Sequence, residues 1–276
     1  MSESRLKQAA HRERRILELL QESSVLSVAE IAAELDVSEA TVRRCLQSMD
    51  ERNLLHRVHG GASLPSFGPK PEPVFQDKEA LHREAKETIA DLARGLVEEH
   101  QRIYLDGGST ALLLARRLHD LSDLTVVTNS LMAAAEFMTT HHRLILVGGE
   151  FRALSRTLVG PLSASVIQSL HVDIAFMGTI GFTVEEGMST TDPAEAYTKE
   201  QIMRRADRVV LLADSSKLGH ASFARSGRVD EVDTLVTERI PEGMVGQLGE
   251  RGVRILTPGD KASVALETGN GDKQHE

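Results

Sequence analysis

The chain of 276 residues has one cysteine and no tryptophan, and only 3% of it is aromatic. A lone thiol, Cys45, excludes an intramolecular disulfide and any cysteine-rich zinc module, and makes a reducing cytoplasm the expected setting. Long apolar runs are missing as well. The strongest, Val209 to Ala213, is strand-sized, far short of the ~18 residues that a membrane span needs. Residues 1–20 are charged throughout and lack the apolar centre of a signal peptide. Positive charge is also in deficit: the formal net charge of −9 argues, at first sight, against any polyanion partner. The deficit is uneven, however. Residues 1–64 hold nine Lys/Arg against ten Asp/Glu, whereas residues 65–276 hold 23 against 31. The N-terminal part is therefore near neutral, and the total does not exclude DNA binding there. A hydrophobic content of 41% is enough for a sizeable core, and this length suggests about two domains.

Four of the eight prolines fall at Pro65, Pro69, Pro71 and Pro73, with Gly68 among them. Such a stretch holds neither a helix nor a central strand and favours an extended, semi-stiff spacer. The expected organisation is a small module over residues 5–64, a linker over 65–75, a large module over 76–259, and a polar, disordered tail over 260–276.

In the small module, Ile16, Leu19 and Leu20 recur at helical spacing. Ser27 and Glu30 form a capping-box pattern ahead of Ile31 and Leu35. After a tight turn at Asp36-Val37, Ser38 opens a third helix running to about Glu51, with Val42, Leu46 and Met49 on one face. Ala40, Arg43, Arg44, Gln47 and Ser48 point the other way. A short strand over residues 54–58 and the glycine turn at His59-Gly60-Gly61 then suit a hairpin wing. Two short helices joined by a tight turn, followed by a wing, form a winged helix-turn-helix, whose second helix enters the major groove. Arginine forks onto guanine and glutamine onto adenine, so this face has the side chains that base readout needs. Residues 1–66 contain no Phe, Tyr or Trp on which unpaired bases could stack, which favours duplex DNA over single strands. Cys45, beside Arg43 and Arg44, invites a redox role, but a small apolar side chain at the edge of the helix core is the favoured reading.

In the large module a charge-rich helix is expected from about Asp77 to Glu98. Apolar runs then alternate with helical stretches: residues 102–105, 124–128, 144–147, 172–177, 209–213, 234–237 and 253–256. That alternation predicts an α/β domain with a mainly parallel sheet covered on both faces, and its ligand at the carboxyl ends of the strands. Those ends carry Asp106-Gly107-Gly108-Ser109-Thr110, Thr128-Asn129-Ser130, Gly148-Gly149-Glu150, Gly178-Thr179-Ile180-Gly181 and Asp214-Ser215-Ser216-Lys217. Glycine backbone, hydroxyls and a following helix N-terminus form an anion site, so five such ends predict one polar pocket. Asp192 and Glu195 add carboxylates near its rim, and Glu195 with Lys199 fits equally well a surface pair one turn apart. His141-His142 and His56 with His59 have no convergent ligand set, so neither metal nor cofactor is expected.

The run Val37 to Arg44, followed by Leu46 and Arg57 to Ala62, resembles the N-terminal signature of DeoR-type transcriptional regulators, departing from it at Cys45 (usually Asp) and Asn53 (commonly Gly). Asp106 to Thr110, Thr128-Asn129, Gly148-Gly149, Asp173 to Gly178, Gly181, Asp192 with Glu195 and Lys199, and Ala213 to Lys217 resemble the sensor domain of the same family. The resemblance implies a ribose-5-phosphate-isomerase-like fold in the large module and a response to phosphorylated sugars. Gly107, Gly108, Ser109 and Thr110 would hold the phosphate. Asp106, Asn129, Gly149, Asp192, Glu195 and Lys217 would complete the effector site. Ser38, Ala40, Thr41, Arg43, Arg44, Gln47, Arg57 and His59 would face operator DNA. The expected protein is a cytoplasmic, homo-oligomeric (dimer or tetramer) repressor of a carbohydrate-utilisation operon, without a membrane partner. The alternative is a sugar-phosphate isomerase with an appended DNA-binding module, using Asp192 or Glu195 as base near the Lys217 ammonium.

Overall fold

The computed structural model describes residues 12–20, 23, 25–52, 54–58, 60–63 and 72–260. Expectations about His59, Asn53, the proline segment as far as Pro71 and the tail beyond Asp260 lie outside the described residues. The chain divides into two compact units between Pro71 and Glu72.

The first unit contains α1 (residues 12–20), β1 (Val25–Ser27), α2 (Val28–Leu35), α3 (Glu39–Glu51), β2 (His56–Val58) and β3 (Gly61–Ser63). Ser27 and Glu30 form the capping box: each side chain bonds the other's backbone N–H, at 3.2 and 2.7 Å. Asp36, at φ 51°, ends α2 in the left-handed conformation, and Ser38 caps α3 by accepting from the Thr41 N–H at 3.3 Å. Ile16, Leu20, Ile31, Val42, Leu46, Met49 and Leu55 close one core. The wing has a third strand that the sequence reading lacks: β1 pairs with β3, giving the antiparallel order β1-β3-β2. A Cβ at Gly61 would stand 2.1 Å from the Leu26 carbonyl oxygen, so only glycine admits this pairing.

The second unit opens with α4 (Phe75–Ala80) and α5 (Arg83–Arg94). The single helix expected over 77–98 is thus broken, at His82, whose φ of 53° is left-handed. The expected linker also ends early. Glu72 is hydrogen-bonded into this unit and Phe75 is buried. Next come β4 (Arg102–Leu105), α6 (Ser109–Arg116), β5 (Thr125–Thr128), α7 (Leu131–Phe137) and β6 (Arg143–Leu146). A hairpin of β7 (Glu150–Arg152) and β8 (Thr157–Val159) leads to α8 (Pro161–Gln168) and β9 (Ile174–Gly178). Then follow β10 (Gly181–Thr183), β11 (Gly187–Thr190), α9 (Pro193–Met203), β12 (Val209–Leu212), β13 (Ala224–Gly227), β14 (Thr234–Val236), α10 (Met244–Glu250) and β15 (Arg254–Leu256).

The seven apolar runs all become strands of one sheet, ordered β15-β14-β12-β9-β4-β5-β6, with every neighbouring pair parallel. Alternation along the strands builds two cores. Ile103, Leu105, Val126, Phe176 and Leu212 face α5, α6 and α7, through residues such as Ile89, Leu114 and Phe137. Tyr104, Val127, Met177 and Leu211 face the other way, with Ile167, Ile202 and Leu248. From β4 the order runs outward in opposite directions, through β5 on one side and β9 on the other. The topological switch point, where open α/β sheets bind ligands, therefore lies between β4 and β9.

Candidate functional site

The first unit presents the face expected to meet DNA. Ala40, Arg43, Arg44, Gln47 and Ser48 of α3 are all exposed, opposite buried Val42, Leu46 and Met49. Their states differ. Arg43 is held by Glu39 at 2.6 Å and Gln47 donates to Glu51 at 3.2 Å, whereas Arg44 has no ion pair among the described residues. The Ser38 and Thr41 hydroxyls bond each other at 2.9 Å while Ser38 caps the helix, so both have structural employment. Exposed Arg57 stands on the wing strand β2. The redox reading of Cys45 loses its physical basis. Partial burial raises the thiol, and the neighbouring charges are Arg12, Glu13 and Arg52 rather than Arg43 and Arg44.

The second unit carries a cleft at the switch point. Its walls are Gly107 to Ala111 after β4, Gly178 to Ile180 after β9, Leu212, Asp214 and Lys217 around the end of β12, and Ser155 of the hairpin; Lys78, Lys86, Glu195 and Lys199 complete it. Counting its open mouth, it holds about 610 Å³ of empty space. Helix α6 begins there without a side-chain cap, and the amides of Ser109, Thr110 and Ala111 have no hydrogen-bond partner among the described residues. Three free N–H groups and the helix dipole make the loop attractive to an anion.

Cations surround the loop. The Lys217 ammonium has no ion pair or hydrogen bond among the described residues. Lys86 is buried, and its Nζ donates to the carbonyls of Lys78 and Leu81, the last turn of α4. Burial, helped by the charges of Lys217 and Lys78 and opposed by Asp214, brings the Lys86 ammonium down to about 8. Lys199 is buried against Asp106 and also donates to the Gly178 carbonyl at 3.1 Å. Burial pulls its ammonium down, but the charges of Asp106 and Glu195 outweigh this and hold it above the ordinary lysine value.

Of the expected effector residues, Gly107, Gly108, Ser109, Thr110, Glu195 and Lys217 line the cleft; Asp106, Asn129, Gly149 and Asp192 do not. Asp106 lies beneath the loop, spent on Lys199 and on the Gly178 N–H at 2.9 Å. The hairpin β7–β8 folds over the end of β5. Asn129 there donates to the Leu158 carbonyl at 3.0 Å, and Gly149 lies so close that a Cβ would stand 2.8 Å from the Val159 oxygen. Asp192 caps α9 by accepting from the Glu195 N–H at 2.8 Å. Of the five expected strand ends, three line the cleft, those of β4, β9 and β12. The Glu195–Lys199 pair is real at 3.6 Å but buried, not on the surface.

Lys78, Lys86 and Ser155 are cleft residues that the sequence reading missed. Lys86 left a trace: it stands in the helical register of Ile89, Ala90 and Ala93, a lysine within an apolar stripe. Among the described residues there is no cluster of His, Cys, Asp and Glu able to hold a metal, and no helix long and apolar enough to cross a membrane.

Residues 12–67 match the DeoR-like helix-turn-helix domain, and residues 81–239 match the DeoR C terminal sensor domain. The chain is 36% identical to the HTH-type transcriptional regulator GlpR of Haloferax volcanii, over 83% of this chain and 89% of that protein. It is 31% identical to the glycerol-3-phosphate regulon repressor of Escherichia coli, over 84% and 92%. Ribose 5-phosphate isomerase A of Methanocaldococcus jannaschii aligns at 24% identity and a TM-score of 0.36, covering 49% of this chain and 54% of that one. By both of its matched regions and by the extent of the two regulator alignments, the chain belongs to the DeoR family of helix-turn-helix transcriptional regulators.

Proposed function

We propose that this regulator is a cytoplasmic repressor of a carbohydrate-utilisation operon, released by a phosphorylated sugar bound in the cleft of its second unit. The observation that carries the reading is the cleft's chemistry. Three unpartnered amides at the start of α6 lie among the ammonium groups of Lys78, Lys86 and Lys217, so the site suits a phosphate dianion. Glu195, Asp214, Ser155 and Thr179 lie in the same cleft and supply acceptors and hydroxyls for a polyol. In the first unit the exposed α3 face with Arg43, Arg44 and Gln47, and Arg57 on the wing, is the operator-reading surface. Two such surfaces in a homo-oligomer would meet a repeated or inverted operator. Changing repression by two orders of magnitude requires about 2.7 kcal/mol of differential effector affinity.

The isomerase reading ranks second on geometry. Glu195 lines the cleft but is paired with Lys199 at 3.6 Å and Arg152 at 3.2 Å, and Asp192 caps α9 and does not line the cleft, so neither is an unpaired base in the cleft. A thermal-shift panel of sugar phosphates with the unphosphorylated sugars as controls tests the effector assignment. At least one phosphorylated sugar should stabilise the protein and Ser109→Ala should weaken that response. Stabilisation by free sugars alone would overturn the phosphate site, and sustained sugar-phosphate turnover would restore the enzyme reading.

A further inference from the structure

The segment where the chain enters the second unit is tied at both ends to side chains in or next to the cleft. Glu72 follows Pro71 at the unit boundary, and its carboxylate is 1% exposed. It accepts from Arg152 Nη2 at 2.6 Å, from the Lys78 ammonium and from the Thr191 hydroxyl. Burial alone would raise the Glu72 carboxyl; these donors and the Lys78 charge outweigh it and bring it down to about 2. A buried carboxylate with three donors contributes little net stability but specifies one arrangement. The two charged holders have a second commitment. Lys78 lines the cleft. Arg152 reaches Glu195 Oε2 at 3.2 Å, and Glu195 lines the cleft too. Lys86, another cleft residue, holds the far end of α4 through the Lys78 and Leu81 carbonyls.

We propose that residues 72–81 form a strap that an anion in the cleft locks down, with Glu72 as its anchor, so that occupancy of the cleft sets how firmly the chain leaving the proline-bearing segment is held. This rests on the proposed phosphate-binding reading of the cleft. The direction follows from the donors. An ammonium has three N–H groups, and Lys86 places two on strap carbonyls, which leaves one for the cleft. A phosphate there keeps Lys86 charged, and charge-assisted bonds to the carbonyls are the stronger ones. The same dianion attracts Lys78, which is itself part of the strap. Ligand and strap therefore stabilise each other, as reciprocal linkage requires.

Hydrogen–deuterium exchange of the full chain tests this, with inorganic phosphate as the probe and potassium chloride matching the ionic strength. Two regions are read: the loop 107–111, which reports the anion site, and the strap 74–81. At phosphate ten times its dissociation constant, exchange of both should slow by up to about tenfold. Slowing of the loop without slowing of the strap, or with faster strap exchange, overturns the relay and leaves the anion site standing. No change in either removes both. In Glu72→Gln the loop should still respond to phosphate while the strap response falls below twofold. Thr191→Val, which removes one neutral donor to Glu72, should show the same loss in weaker form. An undiminished strap response in a folded variant would refute Glu72 as the anchor.

Discussion

Lys199→Met separates a structural strut from a ligand contact at the floor of the cleft. The side chains of Lys199 and Asp106 are 3% and 2% exposed, and the ammonium pairs with the carboxylate while donating to the Gly178 carbonyl. Methionine keeps the volume but leaves the Asp106 carboxylate buried, with the Gly178 N–H at 2.9 Å as its remaining donor among the described residues. Breaking a buried pair by removing one partner costs about 3–5 kcal/mol. For a domain of 150–250 residues each kcal/mol lowers Tm by about 2–4 °C, so calorimetry should show a fall of roughly 6–20 °C. The pair is coupled, which makes a double variant informative. In Asp106→Asn with Lys199→Met no charge remains, and the amide oxygen still accepts from Gly178, so most of the loss should return. A single-variant cost under about 1 kcal/mol, or a double variant no more stable than Lys199→Met, would refute the strut. Asp106→Asn alone offers a further contrast. A direct effector ligand would lose affinity at unchanged Tm, whereas a strut loses stability.

Two other outcomes follow from the surfaces. Arg44→Ala should cost about 1–3 kcal/mol of binding to duplexes selected by the wild-type protein and should relax base preference at one position. Arg43→Ala should cost less, because Arg43 starts from an ion pair with Glu39; the reverse order in binding titrations would show that Arg44 does not read bases. Affinity for a sugar phosphate should peak between about pH 6, where a phosphate monoester gains its second charge, and about 8, where Lys86 in the empty protein begins to lose its proton. The sign is set by linkage: the ligand favours charged Lys86, so each unit above pH 8 weakens binding by up to about tenfold until the pKa of the complex is reached. Lys86→Met should remove that alkaline limb in calorimetric titrations across pH, and affinity rising above pH 8 in the wild type would contradict the assignment.

The local devices were readable because they are encoded within a few residues. The Ser27–Glu30 box, the Ser38 cap and the apolar stripe of α3 each depend on spacings of three or four positions. All seven strands of the large sheet were likewise legible, since the central ones, buried on both faces, need an unbroken apolar run and the edge strands β6 and β15 keep a shorter one. The break between α4 and α5 was not. Charged residues continue through it, and what ends α4 is a tertiary event, the buried Lys86 ammonium taking its terminal carbonyls.

The sequence by itself determined the two modules, the winged helix-turn-helix, the parallel sheet and the glycine–serine loop that begins α6. Only the tertiary structure decided which strand ends share the cleft. The folded hairpin meets the end of β5, where the Asn129 amide donates to the Leu158 carbonyl, and the Gly149 backbone lies close against Val159. It also decided which charges are free. Asp106 and Lys199 neutralise each other 93 positions apart, Glu72 and Arg152 80 apart, while the Lys217 ammonium keeps no partner among the described residues. Periodicity reports the face on which a side chain stands; which distant group meets it there depends on how the elements pack.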